Sequence, residues 1–175
     1  MRIIGGTHGS RIIKTPRGYT THPMGERPRS ALFNTLGDLT GKKVWDAFAG
    51  SGALAIEAVS RCAAYALATD RDPEAYQTAK ANVEKLRITN IDVVKAGCKA
   101  WSKQNVDKKF DIILCDPPYN DLQLSTVFAL KQHLNPNGLM VLSYPGREDV
   151  PSSNGVVVVD NRNYGDAALA YYHLQ

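Results

Sequence analysis

The sequence predicts a three-layer α/β sandwich built on a mostly parallel, seven-stranded sheet. Residues 43–58 pass from an apolar, strand-compatible run through a glycine turn into helix-forming residues. Four further apolar runs alternate with helix-patterned segments, which is typical of parallel strands joined by crossover helices. Two last apolar runs, 156–160 and 167–173, flank a polar turn and predict an antiparallel hairpin that closes the sheet.

The segment 43–58, KVWDAFAGSGALAIEA, carries two signs of a ligand site. Gly50 and Gly52 let the chain turn tightly and let a ligand approach backbone N–H groups. Asp46 ends the apolar strand, where a carboxylate is costly unless a donor such as a ligand amine meets it. The spacing Gly50-x-Gly52-x-x-Ala55 also fits the relaxed dinucleotide fingerprint, and a glycine pair can be no more than a tight turn.

The second predicted strand, 65–70, ends in another acid. Asp70 lies 18 residues beyond Gly52, which is the spacing of the ribose-binding carboxylate in βαβ nucleotide folds. The alternative role is an N-cap for the helix predicted over 73–86, a role that we assign instead to Asp72. We favour Asp70 as a ligand residue. The predicted core positions of that helix are Ala75, Tyr76, Ala79, Val83 and Leu86.

The fourth predicted strand ends in the second informative motif. Residues 110–115 are apolar throughout, which indicates burial on both faces, and Asp116-Pro117-Pro118-Tyr119 follows. Two prolines fix the backbone and remove two N–H groups, so nearby carbonyls stay free to accept hydrogen bonds. A carboxylate and a carbonyl together suit an exocyclic amine, and Tyr119 can stack on a base. The alternative is a strand-to-loop turn with a buried tyrosine.

The remaining predicted elements complete the sandwich. A third strand at 91–95 is followed by Gly97 and Cys98, and Trp101 is assigned to packing. A helix before the glycine turn carries Pro28 in its first turn, ends at Gly37 and has a buried stripe of Ala31, Leu32, Thr35 and Leu36. A helix over 121–134, a turn at 135–138 and a strand over 139–143 come after the Asp-Pro-Pro-Tyr motif. At the N-terminus, Arg2–Ile4 and Arg11–Lys14 predict a small β-hairpin, which must lie against the main domain or be held by its ligand.

The charge distribution divides the chain into an arm and a domain. Residues 1–29 hold six basic residues and one acidic residue, a net charge of +5, whereas the other 146 residues carry −1. Clustered cations favour phosphate backbones, although a solvated basic segment is the simpler alternative. We therefore divide the chain into a basic arm, 1–26, and one domain, 27–175.

Composition narrows the class of protein. No apolar run approaches a membrane span and no apolar signal core precedes the arm, so we expect a cytoplasmic monomer without membrane contact. Cys62, Cys98 and Cys115 are far apart and predict reduced thiols. The four histidines are equally scattered, so we expect isolated surface histidines and no metal site.

Several motifs resemble those of a known enzyme class. Asp46, Phe48, Gly50 and Gly52 match the D-x-F-x-G-x-G motif I of class I methyltransferases that use S-adenosyl-L-methionine (AdoMet). The Asp-Pro-Pro-Tyr motif resembles motif IV of amino-group methyltransferases. The opening MRIIGG, the R-x-R-x-ALFN-x-LGD stretch and the late Y-G-D resemble the RsmD family, which methylates guanine N2 in bacterial 16S ribosomal RNA. The family has R-P-T before the first helix, where this sequence has His22-Pro23-Met24.

The resemblance covers nearly the whole chain and implies a set of site residues. The implied AdoMet contacts are Asp46, Phe48, Ala49, Gly50, Ser51, Gly52, Asp70, Arg71, Gly97, Cys98 and Asp116. The implied catalytic residues are Asp116, Pro117, Pro118 and Tyr119. The predicted RNA contacts are Tyr119, Arg2, Arg11 and Lys14 of the basic arm, and Arg27 and Arg29, which match a basic pair of the family. Gly97 and Cys98 stand where this class often has an acid for the adenine amino group, which leaves a backbone or apolar contact.

The sequence predicts methyl transfer to a guanine exocyclic amine in small-subunit ribosomal RNA, with the RNA or an assembling 30S particle as partner. Three alternatives remain. The Asp-Pro-Pro-Tyr motif also suits an amine on DNA or protein, the missing adenine acid keeps open a non-catalytic RNA-binding assembly factor, and the glycine spacing permits a nicotinamide oxidoreductase.

Overall fold

The computed structural model describes residues 1–17 and 23–175, which contain a seven-stranded sheet in the order β3-β2-β1-β4-β5-β7-β6. The strands are β1 (Lys43–Asp46), β2 (Tyr65–Asp70), β3 (Ile91–Lys95), β4 (Phe110–Cys115), β5 (Leu134–Pro145), β6 (Val156–Asn163) and β7 (Ala167–Leu174). The α-helices are α1 (Glu26–Leu36), α2 (Ala53–Ser60), α3 (Pro73–Lys85), α4 (Cys98–Gln104) and α5 (Leu124–Ala129). Strands β1 to β5 run parallel, and β7 pairs antiparallel with both β5 and β6. The predicted sandwich and its terminal hairpin are confirmed.

The central strands separate two apolar cores because successive side chains point to opposite faces. Val44 packs into the core beneath α1, α2 and α3, whereas Trp45 packs into the core beneath α4 and α5. The indole rings of Trp45 and Trp101 lie 4.6 Å apart between their centroids, so Trp101 is a packing residue as predicted. The sheet is therefore buried on both faces, which gives the three layers.

Two helices differ from their predicted form. The predicted helix over 121–134 is split into α5 and a 3₁₀ helix, Leu130–His133, and it begins late because Gln123 has a left-handed φ of 49°. In α1 the buried residues are Arg29, Leu32 and Phe33, so the stripe is rotated from the predicted one. Gly37, with φ 68°, ends α1 as predicted, and its N–H donates to the Phe33 carbonyl.

The two predicted N-terminal β segments are antiparallel but too short to form strands. A single bridge joins Arg2 to Ile12, and a 3₁₀ turn lies between them at Gly6–His8. The segment lies against the main domain, because Ile3 and Ile13 are 0% and 2% exposed within the core beneath α2.

Candidate active site at the carboxyl edge of the sheet

Three acidic residues lie at one edge of the sheet. Asp46 and Asp70 end β1 and β2, and Asp116 follows β4, which is the other neighbour of β1. In the sheet, β2 and β3 lie on one side of β1, whereas β4 and β5 lie on the other side. The strand order therefore reverses at β1, and the site lies at this topological switch point. Ligands of open α/β sheets bind in the crevice at this position. The edge is also electronegative, which favours a cationic ligand.

The glycine turn after β1 is shaped by packing against α3. Gly50 and Gly52 have φ values of 52° and 77°, which L side chains rarely adopt. A Cβ on Gly52 would lie 3.2 Å from the Ala79 Cβ, so this glycine also allows the close approach of α3. The close approach of α3 to Gly52 was not predicted from the sequence, which indicated only a tight turn and a ligand contact for this glycine.

Backbone amides of the turn are used within the protein. The Ala49 N–H donates to the Thr69 carbonyl (3.0 Å) and the Gly52 N–H to the Ala49 carbonyl (2.7 Å). The Gly50 N–H donates to Asp70 Oδ2 (2.8 Å). These three amides fix the turn itself, and the approach of a ligand to backbone N–H groups of the turn stays a prediction.

Asp46 lies beneath the turn and has no exposed surface. Its Oδ2 accepts from the Ala55 N–H at 3.3 Å, while its Oδ1 has no hydrogen-bond partner among the described residues. Burial raises the pKa of Asp46 to about 8, and repulsion from Asp116 and Asp70 acts in the same direction. We therefore correct the predicted role: Asp46 is enclosed by the turn and does not present its carboxylate to a ligand in this conformation.

Asp70 anchors the turn from the neighbouring strand. In addition to the Gly50 amide, it accepts from the Asp72 N–H at 2.9 Å. Asp72 is the N-cap of α3 and accepts from the Ala75 N–H at 2.8 Å, as predicted. The two acids therefore have separate structural roles, and the ribose contact of Asp70 stays a prediction.

The predicted adenine side of the site follows β3. Gly97 lies against Arg71, since a Cβ on Gly97 would be 3.6 Å from the Arg71 Cβ. Cys98 is 4% exposed, and burial raises the pKa of its thiol to about 11, so a neutral and largely apolar group lies here. Of the other predicted contacts, Ala49 and Ser51 are buried at 7% and 5% exposure, and Phe48 is half-buried.

The Asp-Pro-Pro-Tyr segment is more accessible than the glycine turn. Asp116 is half-buried, Pro117 is buried and Tyr119 is 37% exposed. The Tyr119 hydroxyl lies 2.7 Å from the Ser143 Oγ. The Pro118 carbonyl accepts from the Asp121 N–H (2.9 Å), so it is engaged in a turn.

The protonation of Asp116 is set by burial and three nearby groups. Burial raises the pKa of Asp116 to about 6. The Ser143 hydroxyl, the Met24 backbone N–H and the Arg29 guanidinium oppose this rise in pKa by stabilising the carboxylate. Ser143 was not predicted from the sequence, although its position at the carboxyl end of the strand next to β4 is a usable signal.

The predicted RNA-binding cations divide into exposed and buried residues. Arg11, Lys14 and Arg27 are exposed. Arg2 is also exposed and pairs with Glu26 at 3.1 Å. Arg29 is 1% exposed, which contradicts its predicted role as an RNA contact because its guanidinium cannot reach a phosphate at the surface.

Two buried polar residues connect the N-terminal segment to the site. Asn82 on α3 exchanges hydrogen bonds with the Lys14 backbone and donates to the Ser51 carbonyl in the glycine turn (2.9 Å). Glu57 on α2 accepts from the Ile4 and Gly5 N–H groups, both at 2.8 Å. Both residues lie on helices, and neither has a motif that distinguishes it from an ordinary surface residue in the sequence.

The prediction that all four histidines lie at the surface is wrong for one of them. His133 is 0% exposed, with Nδ1 2.7 Å from the Lys108 carbonyl oxygen and Nε2 2.7 Å from Ser102 Oγ, so it is a core residue and not the predicted surface one. Within residues 1–17 and 23–175 no group of three or more candidate ligands could hold a metal ion. His22 lies outside the described residues.

The helices that are described are all too short or too polar to cross a membrane.

Comparison with known proteins identifies the family. Residues 1–173 match the family model Cons_hypoth95, described as "Conserved hypothetical protein 95". The chain is 31% identical to "Putative rRNA methyltransferase YlbH" of Bacillus subtilis (strain 168), over 98% of each chain. It is 34% identical to ribosomal RNA small subunit methyltransferase D of Buchnera aphidicola subsp. Acyrthosiphon pisum (strain APS), over 67% of this chain and 62% of that one. The solved structure titled "Putative methyltransferase yhhF from Escherichia coli" superposes with a TM-score of 0.86 at 27% identity, covering 100% of this chain and 98% of that one. The chain therefore belongs to this family, the RsmD-type methyltransferases.

Proposed function

We propose that this protein transfers a methyl group from AdoMet to the exocyclic N2 amine of a guanine in small-subunit (16S) ribosomal RNA. The observation that carries the proposal is Asp116, a half-buried acid at the switch point of the sheet that is followed, three residues later, by the exposed Tyr119. The ribosomal RNA methyltransferases among its relatives support the class of substrate.

The residues at the carboxyl edge fit AdoMet. The carboxylates of Asp70 and Asp116, which lie on either side of the end of β1, suit a ligand that carries a sulfonium and an ammonium group. We assign Asp70 to the ribose hydroxyls, since a carboxylate accepts more than two hydrogen bonds, and Gly97 and Cys98 to the adenine. When bound, AdoMet supplies an electrophilic methyl group on its sulfur.

The role of Asp116 is to grip and orient the target amine. Its carboxylate accepts a hydrogen bond from one N–H of the amine, and the Pro117 carbonyl accepts from the other, since the Pro118 carbonyl is already engaged. With both hydrogens held, the nitrogen lone pair points toward the methyl donor. Catalysis is then mainly positioning and electrostatics. We assign to the same carboxylate the role of accepting the proton that the amine loses when the methyl group moves from sulfur to nitrogen.

Tyr119 is the stacking residue of the proposal. Its ring is partly exposed and its hydroxyl is fixed by Ser143. A base extruded from an RNA helix gains about 1–3 kcal/mol from stacking on such a ring.

Arg11, Lys14 and Arg27 form the proposed RNA surface. They are exposed cations on or next to the N-terminal segment. Neutralising all three by glutamine should lower the salt dependence of RNA binding, by about 1 in the log–log slope for each lost phosphate contact. An unchanged slope would assign RNA binding to another surface.

The direct test is methyl transfer from radiolabelled AdoMet to small-subunit particles and to naked ribosomal RNA from cells that lack the protein. Nucleoside analysis should recover the label as N2-methylguanosine. Label on DNA or protein would move the activity to another amine, and AdoMet binding without transfer to any of these acceptors would contradict the proposal. Binding of NAD in place of AdoMet would indicate an oxidoreductase.

A further inference from the structure

Arg29 is a buried cation that no motif assigns to the reaction. It is 1% exposed on α1, where an arginine is rarely found without partners that offset the loss of its hydration. Its Nε has no hydrogen-bond partner among the described residues. Removal of a guanidinium from water is expensive, so the surrounding groups must explain its position.

The terminal nitrogens of Arg29 hold two separate backbone segments. Nη1 donates to the Met24 carbonyl at 2.9 Å, and Nη2 donates to the Arg2 carbonyl at 2.7 Å. The planar fork of the guanidinium reaches both carbonyls at once, which a single ammonium group does less well. Arg29 therefore fastens the segment before α1 to the N-terminal segment.

The Met24 contact connects Arg29 to Asp116. The Met24 backbone N–H stabilises the Asp116 carboxylate, and the Arg29 charge acts on the same carboxylate. Arg29 thus acts on Asp116 in two ways, through its charge and through the peptide segment that it holds.

The other charged groups near this pair do not replace Arg29. Asp46 on β1, Tyr119 and the Cys115 thiol interact with Asp116, and none of them is a cation. Glu57 and Glu26 also interact electrostatically with Arg29. Among the described residues, Arg29 is the only positive charge that lowers the pKa of Asp116.

We propose that Arg29 is a positioning residue for methyl transfer, which fastens the Met24 segment to the N-terminal segment beside Asp116 and provides a buried positive charge there. The inference rests on the proposed function, in which the ionised carboxylate grips the amine. It assigns the arginine to the reaction although the side chain itself touches neither RNA nor cofactor.

The test compares Arg29→Met, Arg29→Lys and Arg87→Met. Arg87 is an exposed arginine just after α3 and serves as the matched control for loss of one positive charge. Two quantities are measured for each: the pH dependence of kcat, and the titration of the Asp116 carboxyl carbon by NMR, assigned with Asp116→Asn. Affinity for AdoMet and Tm are recorded in parallel.

Arg29→Met should move both midpoints upward by about one pH unit and lower kcat at pH 6 about fivefold, with AdoMet affinity retained. Arg29→Lys should shift the two midpoints less, because the positive charge remains. It should still lower kcat, because an ammonium group cannot hold both backbone carbonyls as the guanidinium does. Arg87→Met should match the wild type.

The inference is overturned if Arg29→Met lowers Tm but leaves both Asp116 midpoints unchanged, since Arg29 would then be structural only. If Arg29→Met does not fold, Arg29→Lys with wild-type kcat and midpoint overturns it. A wild-type protein that methylates no RNA, with an Asp116 titration that still shifts in the Arg29 variants, would defeat the proposed function and support the Arg29–Asp116 coupling.

Discussion

The loops that follow β1 and β4 are neighbours at the same edge of the sheet, and each begins at an aspartate. The loop after Asp46 turns back over its own strand through two glycines in left-handed conformations. The loop after Asp116 contains two prolines and leads outward to Tyr119 and Asn120, both exposed. Asp46 is 0% exposed, while Asp116 is half-buried and surrounded by donors.

The comparison separates a structural acid from a reactive one. Burial raises the pKa of both residues, to about 8 for Asp46 and about 6 for Asp116. The Ser143 hydroxyl, the Met24 N–H and the Arg29 guanidinium limit the rise in the pKa of Asp116, so its carboxylate is mostly ionised at neutral pH. An aspartate at a strand end is therefore not sufficient to define a catalytic group, because the loop that covers it decides what it can reach.

The largest effect is expected for Asp116→Ala. Loss of the amine grip should lower methyl transfer roughly 10²-fold or more, while AdoMet affinity is largely retained. Single-turnover methylation and AdoMet titration by calorimetry give the two numbers. Normal turnover by this variant would remove Asp116 from the mechanism.

Gly52→Ala tests whether the glycine turn is held by packing. The substitution combines a strained φ of 77° with a contact of 3.2 Å to the Ala79 Cβ, so we expect a loss of about 2–3 kcal/mol in the free energy of unfolding. Gly41→Ala is the matched control, because Gly41 has a φ of 76° and no atom within 4 Å of the added Cβ. It should cost about 1 kcal/mol. Equal losses for the two variants in urea unfolding would mean that α3 does not constrain the turn.

Asp46→Asn and Asp116→Asn should differ in the pH window of their effect on stability. Both folded-state pKa values are raised, so each wild-type carboxyl binds its proton more tightly in the folded protein, and stability falls as pH rises from about 4 to the folded pKa. The free energy of unfolding of Asp116→Asn, relative to wild type, should therefore increase between about pH 4 and pH 6 and stay constant above. For Asp46→Asn the increase should continue to about pH 8. Urea unfolding at closely spaced pH values measures both windows. Identical windows would contradict the distinction between the two acids.

The smallest effect is expected for Tyr119→Phe. This variant keeps the stacking ring and loses the hydroxyl that lies 2.7 Å from Ser143 Oγ, so methyl transfer should fall about two- to fivefold, equivalent to ~0.5–1 kcal/mol. Tyr119→Ala should lower affinity for RNA more strongly because the ring is lost. If the phenylalanine and alanine variants behave alike, the ring does not stack on the target base.

Local sequence patterns were enough to predict the layers, the succession of strands along the chain and the edge of the sheet at which the candidate site lies. Apolar strands such as 110–115 and helix signals such as Asp72 and Gly37 are local, since each depends on the conformational preferences of a few neighbouring residues. The positions of Asp46, Asp70 and Asp116 at strand ends then follow from the parallel arrangement.

The accessibility of polar side chains could not be predicted in the same way, because it depends on how distant segments of the chain pack together. Three helical residues are of types that usually lie at the surface but are buried here: Arg29, Glu57 and Asn82, with exposures of 1%, 0% and 1%. In each case the N-terminal segment, which packs against α1, α2 and α3, supplies backbone partners for the polar side chain. Burial of a polar residue depends on such long-range partners, and a local sequence pattern contains no information about them.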